Sequence, residues 1–124
     1  MTMTEKSFRD LIVWQKAMDL LELVYRVSSR FPREENDALT NQLRRAAVSI
    51  PSNIAEGHSR RSPAEFGHFL SIARGSLAEV ETQLLIAFRL NYINQNHIES
   101  IMPTREEISK MLHSRMAKLQ HASS

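Results

Sequence analysis

The polar residues with the most unusual spacing in this sequence form a stripe between positions 42 and 57. Their three- and four-residue steps place them on one flank of a helix, beside an apolar face. A later segment, residues 76–83, carries a similar flank that could supply hydrogen-bond partners. Because an unpaired buried polar group costs about 1–3 kcal/mol, the stripe predicts a structural hydrogen-bond network between helices or subunits. Its predicted members are Gln42, Ser49, Asn53, Glu56, Ser76 and Glu79.

The alternative for the same stripe is a ligand or catalytic site, which would need a nucleophile with its base or a metal cluster. Ser49 and Ser52 have no histidine at helical spacing, and cysteine is absent. The five histidines are scattered, without an HExxH or His-x-x-x-His pair, and the glycines lack phosphate-loop spacing. The sequence therefore predicts no catalytic residues, metal, cofactor or small-molecule substrate, and a protein that is not an enzyme.

Basic residues are concentrated in two stretches. Residues 38–62 carry four arginines against one acid, and residues 108–124 carry three basic residues and no acid. The planar guanidinium fork suits phosphate, whereas the aromatic residues lie at core spacing and predict no base-stacking platform. The stretches therefore predict nucleic-acid backbone contacts, with a solvated face and intramolecular ion pairs as the alternative. The candidate contacts are Arg44, Arg45, Arg60, Arg61, Lys110, Arg115 and Lys118.

Four helices must position these side chains, since apolar residues recur at helical spacing over residues 10–29, 37–57, 63–90 and 95–119. Ser62, Pro63 and Glu65 form a clear start signal for the third helix. Pro51 and Pro103 lie inside the second and fourth apolar patterns without shifting their phase, which favours two continuous helices. A capping box at residues 104–107 leaves a break of the fourth helix open as an alternative.

The composition fits one domain spanning residues 1–124. Apolar residues make up 42% of the chain and charged residues 24%, glycine and proline are scarce, and the formal net charge is +2. There is no twenty-residue apolar stretch, so we expect no membrane span and a cytoplasmic protein. Four helices joined by short loops predict an all-α fold, an antiparallel up-down-up-down four-helix bundle.

The first helix carries more apolar surface than such a bundle needs. One face, with Leu11, Trp14, Met18, Leu21 and Tyr25, is predicted to join the core. A second apolar face adjoins it and predicts self-association, because large exposed apolar patches usually mark interfaces. The alternative is that this helix lies deep in an asymmetric bundle. The predicted oligomer interface consists of Val13, Ala17, Leu20, Val24 and Val27.

Residues 8–17, 42–57 and 69–83 resemble the four-helix-bundle proteins encoded in 23S rRNA intervening sequences. This resemblance extends to about residue 92 and implies a cytoplasmic bacterial bundle that forms a ring-like homopentamer. A distant relative, the accessory variability determinant of diversity-generating retroelements, binds nucleic acid and a reverse transcriptase through a basic surface. The family supplies no catalytic residues to transfer.

Together, these observations lead to the hypothesis of a non-enzymatic homo-oligomer that binds RNA or DNA backbone, with RNA favoured, as an accessory or scaffold protein. The alternative is a protein–protein interaction scaffold in which the arginines serve subunit ion pairs. Salt dependence separates the two hypotheses, because phosphate contacts release counterions.

Overall fold

The computed structural model describes residues 7–123, which contain four long helices and no strand. The helices are α1 (Ile12–Ser28), α2 (Leu39–His58), α3 (Pro63–Arg89) and α4 (Gln95–Ser123). Short 3₁₀ turns at Phe8–Asp10 and Arg33–Glu35 precede α1 and α2. The predicted all-α class and the number of helices are therefore confirmed.

Local capping residues explain where α3 begins and ends. At its start, the Ser62 Oγ accepts a hydrogen bond from the Glu65 N–H at 3.1 Å, and Pro63 occupies the first turn, as the sequence predicted. At its end, Asn91 adopts the left-handed region with φ 65°, and the Tyr92 N–H donates to the Ala87 carbonyl at 2.9 Å. This bond closes a Schellman-type cap, with asparagine in the place that glycine usually takes.

Both internal prolines lie within continuous helices. Pro51 is inside α2 and Pro103 is inside α4, so the alternative of a break at Pro103 is wrong. The bounds of the helices differ from prediction mainly at their ends. A separate 3₁₀ turn replaces the first residues expected for α1, α2 begins at Leu39, and α4 continues to Ser123. Such shifts of a few residues reflect cap geometry that apolar spacing does not encode.

The helices pack in cyclic order around one core. α1 contacts α2 and α4, and α3 contacts the same two helices, with the most extensive packing between α2 and α3. Leucine, isoleucine, valine and alanine side chains fill the centre. The largest buried side chains are Leu11, Leu20, Leu43, Ile50, Ile54, Leu70, Leu77, Leu84, Ile101, Ile108 and Leu112.

The apolar face of α1 that was predicted to be an oligomer interface is the face that is most deeply buried in the single chain. The five residues assigned to an oligomer interface, Val13, Ala17, Leu20, Val24 and Val27, are buried in the core of the single chain, so that assignment is wrong. Of the face predicted to be core, only Leu11 is fully buried; Trp14, Met18 and Leu21 are half-buried, and Tyr25 is 43% exposed. Both faces have equally regular spacing, so spacing alone does not decide which face is buried. The buried face carries the smaller side chains, which allow the neighbouring helices to pack more closely. The alternative of a deeply placed first helix describes the surplus face correctly.

Candidate nucleic-acid interface

Five of the seven basic residues predicted to contact nucleic acid lie in the half of the molecule that holds the end of α2, the start of α3 and the second half of α4. The first residues of α3, Pro63 and Ala64, line a groove together with Leu119 and Gln120 of α4. The last turns of α4 therefore lie beside the turn that joins α2 to α3. We call this region the basic end and define it by Arg60, Arg61, Lys110, Arg115 and Lys118.

Three of these residues line one groove between α4 and the start of α1. Lys110, Arg115 and Lys118 surround a cavity of about 380 Å³ together with Asp10 and the exposed Ile12. Lys118 lies between the other two around the helix, so the three side chains line the groove from the side of α4 that faces it, where cations can follow a phosphate backbone. Asp10 is the acidic residue of the groove, so its lining keeps a positive excess.

Arg60 and Arg61 have different surroundings although they are adjacent. The Arg60 Nη2 lies 2.6 Å from the Glu56 Oε2, and its guanidinium lies 4.8 Å from the centre of the Phe69 ring. Arg61 is exposed in the turn after α2. Glu56 largely neutralises Arg60, so Arg61 is the stronger candidate for a phosphate contact.

Arg44 and Arg45 are separate from the basic end. Arg44 lies about 21 Å along α2 from His58, the last residue of that helix, at about 1.5 Å per residue. Its Nε donates to the Ser28 Oγ at 2.8 Å, and its guanidinium lies 4.6 Å from the centre of the Tyr25 ring, so it ties α2 to α1. Arg45 is exposed beside it. The seven predicted residues thus do not form one continuous patch.

The predicted polar network exists in a smaller form. The Ser76 Oγ donates to the Ser49 Oγ at 2.9 Å, and the Asn53 Nδ2 donates to the same oxygen at 2.9 Å, which links α2 to α3. The other three predicted members lie outside this cluster: Glu56 pairs with Arg60, and Gln42 and Glu79 are exposed. These three residues therefore do not join the network within one chain, because their place on the flank turns them toward solvent, and a role for them between subunits stays a prediction.

A second polar contact, which the sequence did not suggest, holds the opposite end together. The Tyr92 hydroxyl donates to the Glu35 Oε2 at 2.7 Å, and the Glu35 Oε1 accepts a hydrogen bond from the Leu39 N–H at 3.3 Å. Glu35 thus supports the first turn of α2 and ties it to the loop after α3. This hydrogen bond, then burial and the charges of Glu35 and Glu34, raise the pKa of Tyr92 above its ordinary value of 10.0. The two residues are 57 positions apart, so no local spacing signals their contact.

Two further observations bear on the range of possible functions. Within residues 7–123, no group of three histidine or acidic side chains is placed to hold a metal ion. In the same part of the chain, no helix combines the length and apolar character that crossing a membrane requires.

The comparisons with known proteins agree with the resemblance seen in the sequence. The family model described as 23S rRNA-intervening sequence protein matches residues 9–114. Among solved structures, the chain is similar to a protein of unknown function from the S23 ribosomal protein family of Bacteroides thetaiotaomicron, with 28% sequence identity and a TM-score of 0.77. That match covers 85% of this chain and 98% of the other. No curated protein matches. Because the family match spans most of its length, this chain belongs to the 23S rRNA-intervening sequence protein family.

Proposed function

We propose that this protein is a non-enzymatic, cytoplasmic RNA-binding accessory or scaffold protein that contacts the phosphate backbone through the basic end. The observation that carries the proposal is the groove between α4 and the start of α1, which Lys110, Arg115 and Lys118 line together. Arg61 adds an exposed guanidinium at the same end of the molecule. Backbone phosphates are the ligand that a row of cations recognises without base-specific contacts.

RNA is favoured over DNA because of the family to which the chain belongs. The family is named after an intervening sequence of 23S rRNA, and the similar Bacteroides protein is assigned to a ribosomal protein family. Both names concern the ribosome and its RNA. They support RNA as the polyanion and leave the alternative, a protein–protein scaffold, to the experiment below.

We further propose that the chain is an antiparallel bundle that self-associates, as the ring-like pentamer implied by the family resemblance. The pairing of the first turn of α3 with the last turns of α4 supports the antiparallel arrangement. Large aliphatic side chains exposed on α3 support a new location for the interface. They are Ile72, Leu85, Ile86 and Leu90. In an oligomer each subunit would contribute one basic end, and several basic ends acting together would raise the avidity for a long polyanion.

The position of the interface can be tested by light scattering after size-exclusion chromatography. Ile86→Lys, which places a charge on the exposed face of α3, should lower the assembly mass. Ile12→Lys is the matched control, since Ile12 is 57% exposed but lies on α1. An unchanged mass for Ile86→Lys, with a reduced mass for the control, would place the interface on α1 instead.

RNA binding is tested by fluorescence anisotropy of a labelled structured RNA at about 50 and 200 mM salt. We expect tight binding at low salt that weakens steeply at high salt. The double variant Lys110→Ala with Lys118→Ala removes two phosphate contacts. It should reduce the slope of log K against log salt by about 1.4–1.8, at about 0.7 per contact on a single strand and about 0.9 on a duplex. Arg33→Ala with Arg89→Ala is the charge-matched control, because both arginines are exposed near the Tyr92–Glu35 contact at the opposite end.

Equal losses of RNA affinity in the two double variants would show that binding depends on the net charge of the protein and not on the basic end. No binding by the wild-type protein at low salt would refute the RNA function and favour the protein scaffold. Light scattering on each variant separates a direct loss of RNA contacts from a loss of assembly.

A further inference from the structure

A groove on the side of the molecule, at the junction of α1 and α2, has a lining unlike that of the basic end. Its volume is about 460 Å³, within the range of small-molecule sites. The lining combines an aromatic ring, two guanidinium groups, an amide, a hydroxyl and an aliphatic side chain, and none of its residues is acidic. These residues are Tyr25, Asn41, Arg44, Arg45, Val48 and Ser49.

The Tyr25–Arg44 pair forms a rigid surface in this groove. The Arg44 Nε donates to the Ser28 Oγ at 2.8 Å, and its Nη2 donates to the Tyr25 carbonyl at 3.4 Å. Neither bond uses Nη1. The guanidinium lies over the Tyr25 ring, 4.6 Å from its centre, and Tyr25 is 43% exposed to solvent. A fixed arginine beside an exposed aromatic ring is a surface on which a nucleobase can stack.

The charges of the groove favour an anionic ligand. Within the described residues, neither Arg44 nor Arg45 forms an ion pair with an acidic side chain, in contrast to Arg60, which pairs with Glu56. Asn41 is exposed beside them, and its amide can donate and accept hydrogen bonds at a base edge. The groove therefore offers a stacking surface, an amide and two uncompensated positive charges side by side.

We propose that this groove binds one nucleotide with an unpaired base, which stacks against the Tyr25–Arg44 pair while Arg45 contacts its phosphate. The inference rests on the proposed RNA function and deepens it: the preferred substrate is RNA with a single-stranded segment. A duplex hides its base faces in the stack, so it can engage the basic end but not the groove. The same chemistry would be met by a free mononucleotide, which the test distinguishes.

The test compares a single-stranded RNA containing 2-aminopurine with a duplex of the same length, both bound by the full-length protein. Wild-type protein should bind the single strand more tightly and quench its 2-aminopurine fluorescence. Tyr25→Leu should weaken single-strand binding by about tenfold, abolish the quenching, and leave duplex binding and the salt slope unchanged. Tyr25→Phe, which keeps the ring, should retain both affinity and quenching. Titration of the protein with AMP shows whether a free nucleotide binds the groove without the rest of an RNA chain.

Equal affinity for the two RNAs, with Tyr25→Leu altering neither, would overturn the inference and leave the proposed function standing. Failure of the proposed function has a different signature, since neither RNA would then bind in a salt-dependent way. Circular dichroism of Tyr25→Leu confirms that the variant is folded. Tyr25 is 43% exposed and lies at the edge of the bundle, and leucine keeps an apolar side chain at this position.

Discussion

Helices α2 and α3 approach each other closely at Gly57, and this contact yields a quantitative prediction. Gly57 is buried in the last turn of α2, against α3. A Cβ atom placed on it would lie 2.8 Å from the Phe69 Cβ and 3.2 Å from the Phe66 carbonyl oxygen. Both atoms belong to the α3 backbone or are bonded to it, so no side-chain rotation relieves the overlap. In Gly57→Ala the two helices must move apart.

The size of the effect follows from two opposing terms. Overpacking of this kind costs about 1–3 kcal/mol, while replacing glycine by alanine inside a helix returns at most about 1 kcal/mol, and less in a last turn. We therefore expect Gly57→Ala to destabilise the protein by about 1–2 kcal/mol. Gly75→Ala is the matched control: Gly75 is exposed within α3, with no atom within 4 Å of an added Cβ. It should stabilise the protein by about 0.5–1 kcal/mol.

The assay is urea denaturation followed by circular dichroism, with the two variants and the wild type at several matched protein concentrations. Several concentrations are needed because self-association makes the apparent stability depend on concentration. Equal stability of Gly57→Ala and Gly75→Ala would refute the expected overlap. That result would mean that α2 and α3 approach less closely than the structure places them.

Three further predictions concern single contacts. The raised pKa of Tyr92 means that its hydrogen bond to Glu35 stabilises the fold fully below about pH 10 and is lost as pH rises through the folded-state pKa. The free energy of unfolding should therefore fall more steeply above about pH 10 in the wild type than in Tyr92→Phe. Tyr25→Phe is the control, because it removes a different tyrosine and should behave like the wild type. The measurement is urea denaturation at each pH. Asn91→Ala should cost about 1 kcal/mol in the same assay, and Asn91→Gly should not, because residue 91 has a positive φ. Ser76→Ala should cost about 0.5–1.5 kcal/mol by removing the link from α3 to α2.

The number, order and approximate bounds of the helices could be predicted because they depend on local signals. Apolar spacing repeats over many turns, and the Ser62 cap, with Pro63 and Glu65 after it, marks the start of α3 locally. Continuity through Pro51 and Pro103 was also predictable, since the apolar phase is unchanged across each proline. In both cases the relevant partners lie within a few residues along the chain.

The choice between the two faces of α1 could not be made in the same way. Both faces repeat with the same period, so the pattern alone cannot say which one meets the other helices. The buried face contains Ala17, which lets a neighbouring helix approach closely. The half-exposed face carries Trp14 and Tyr25, whose polar atoms can remain near water at the edge of the bundle. Side-chain size and polarity were thus better guides here than the amount of apolar surface.

The roles of the arginines show the same limit at the candidate site. Arg44, Arg60 and Arg61 are alike in sequence terms, but each meets a different neighbour. Ser28 and Tyr25 immobilise Arg44 without neutralising it, Glu56 neutralises Arg60, and Arg61 remains exposed in a turn. A count of local charge treats the three as equal, whereas their capacity to bind phosphate or a base depends on these neighbours. The two charge-matched double variants are therefore informative because they remove the same charge from different places, and Tyr25→Phe is informative because it keeps both the charge and the ring beside Arg44.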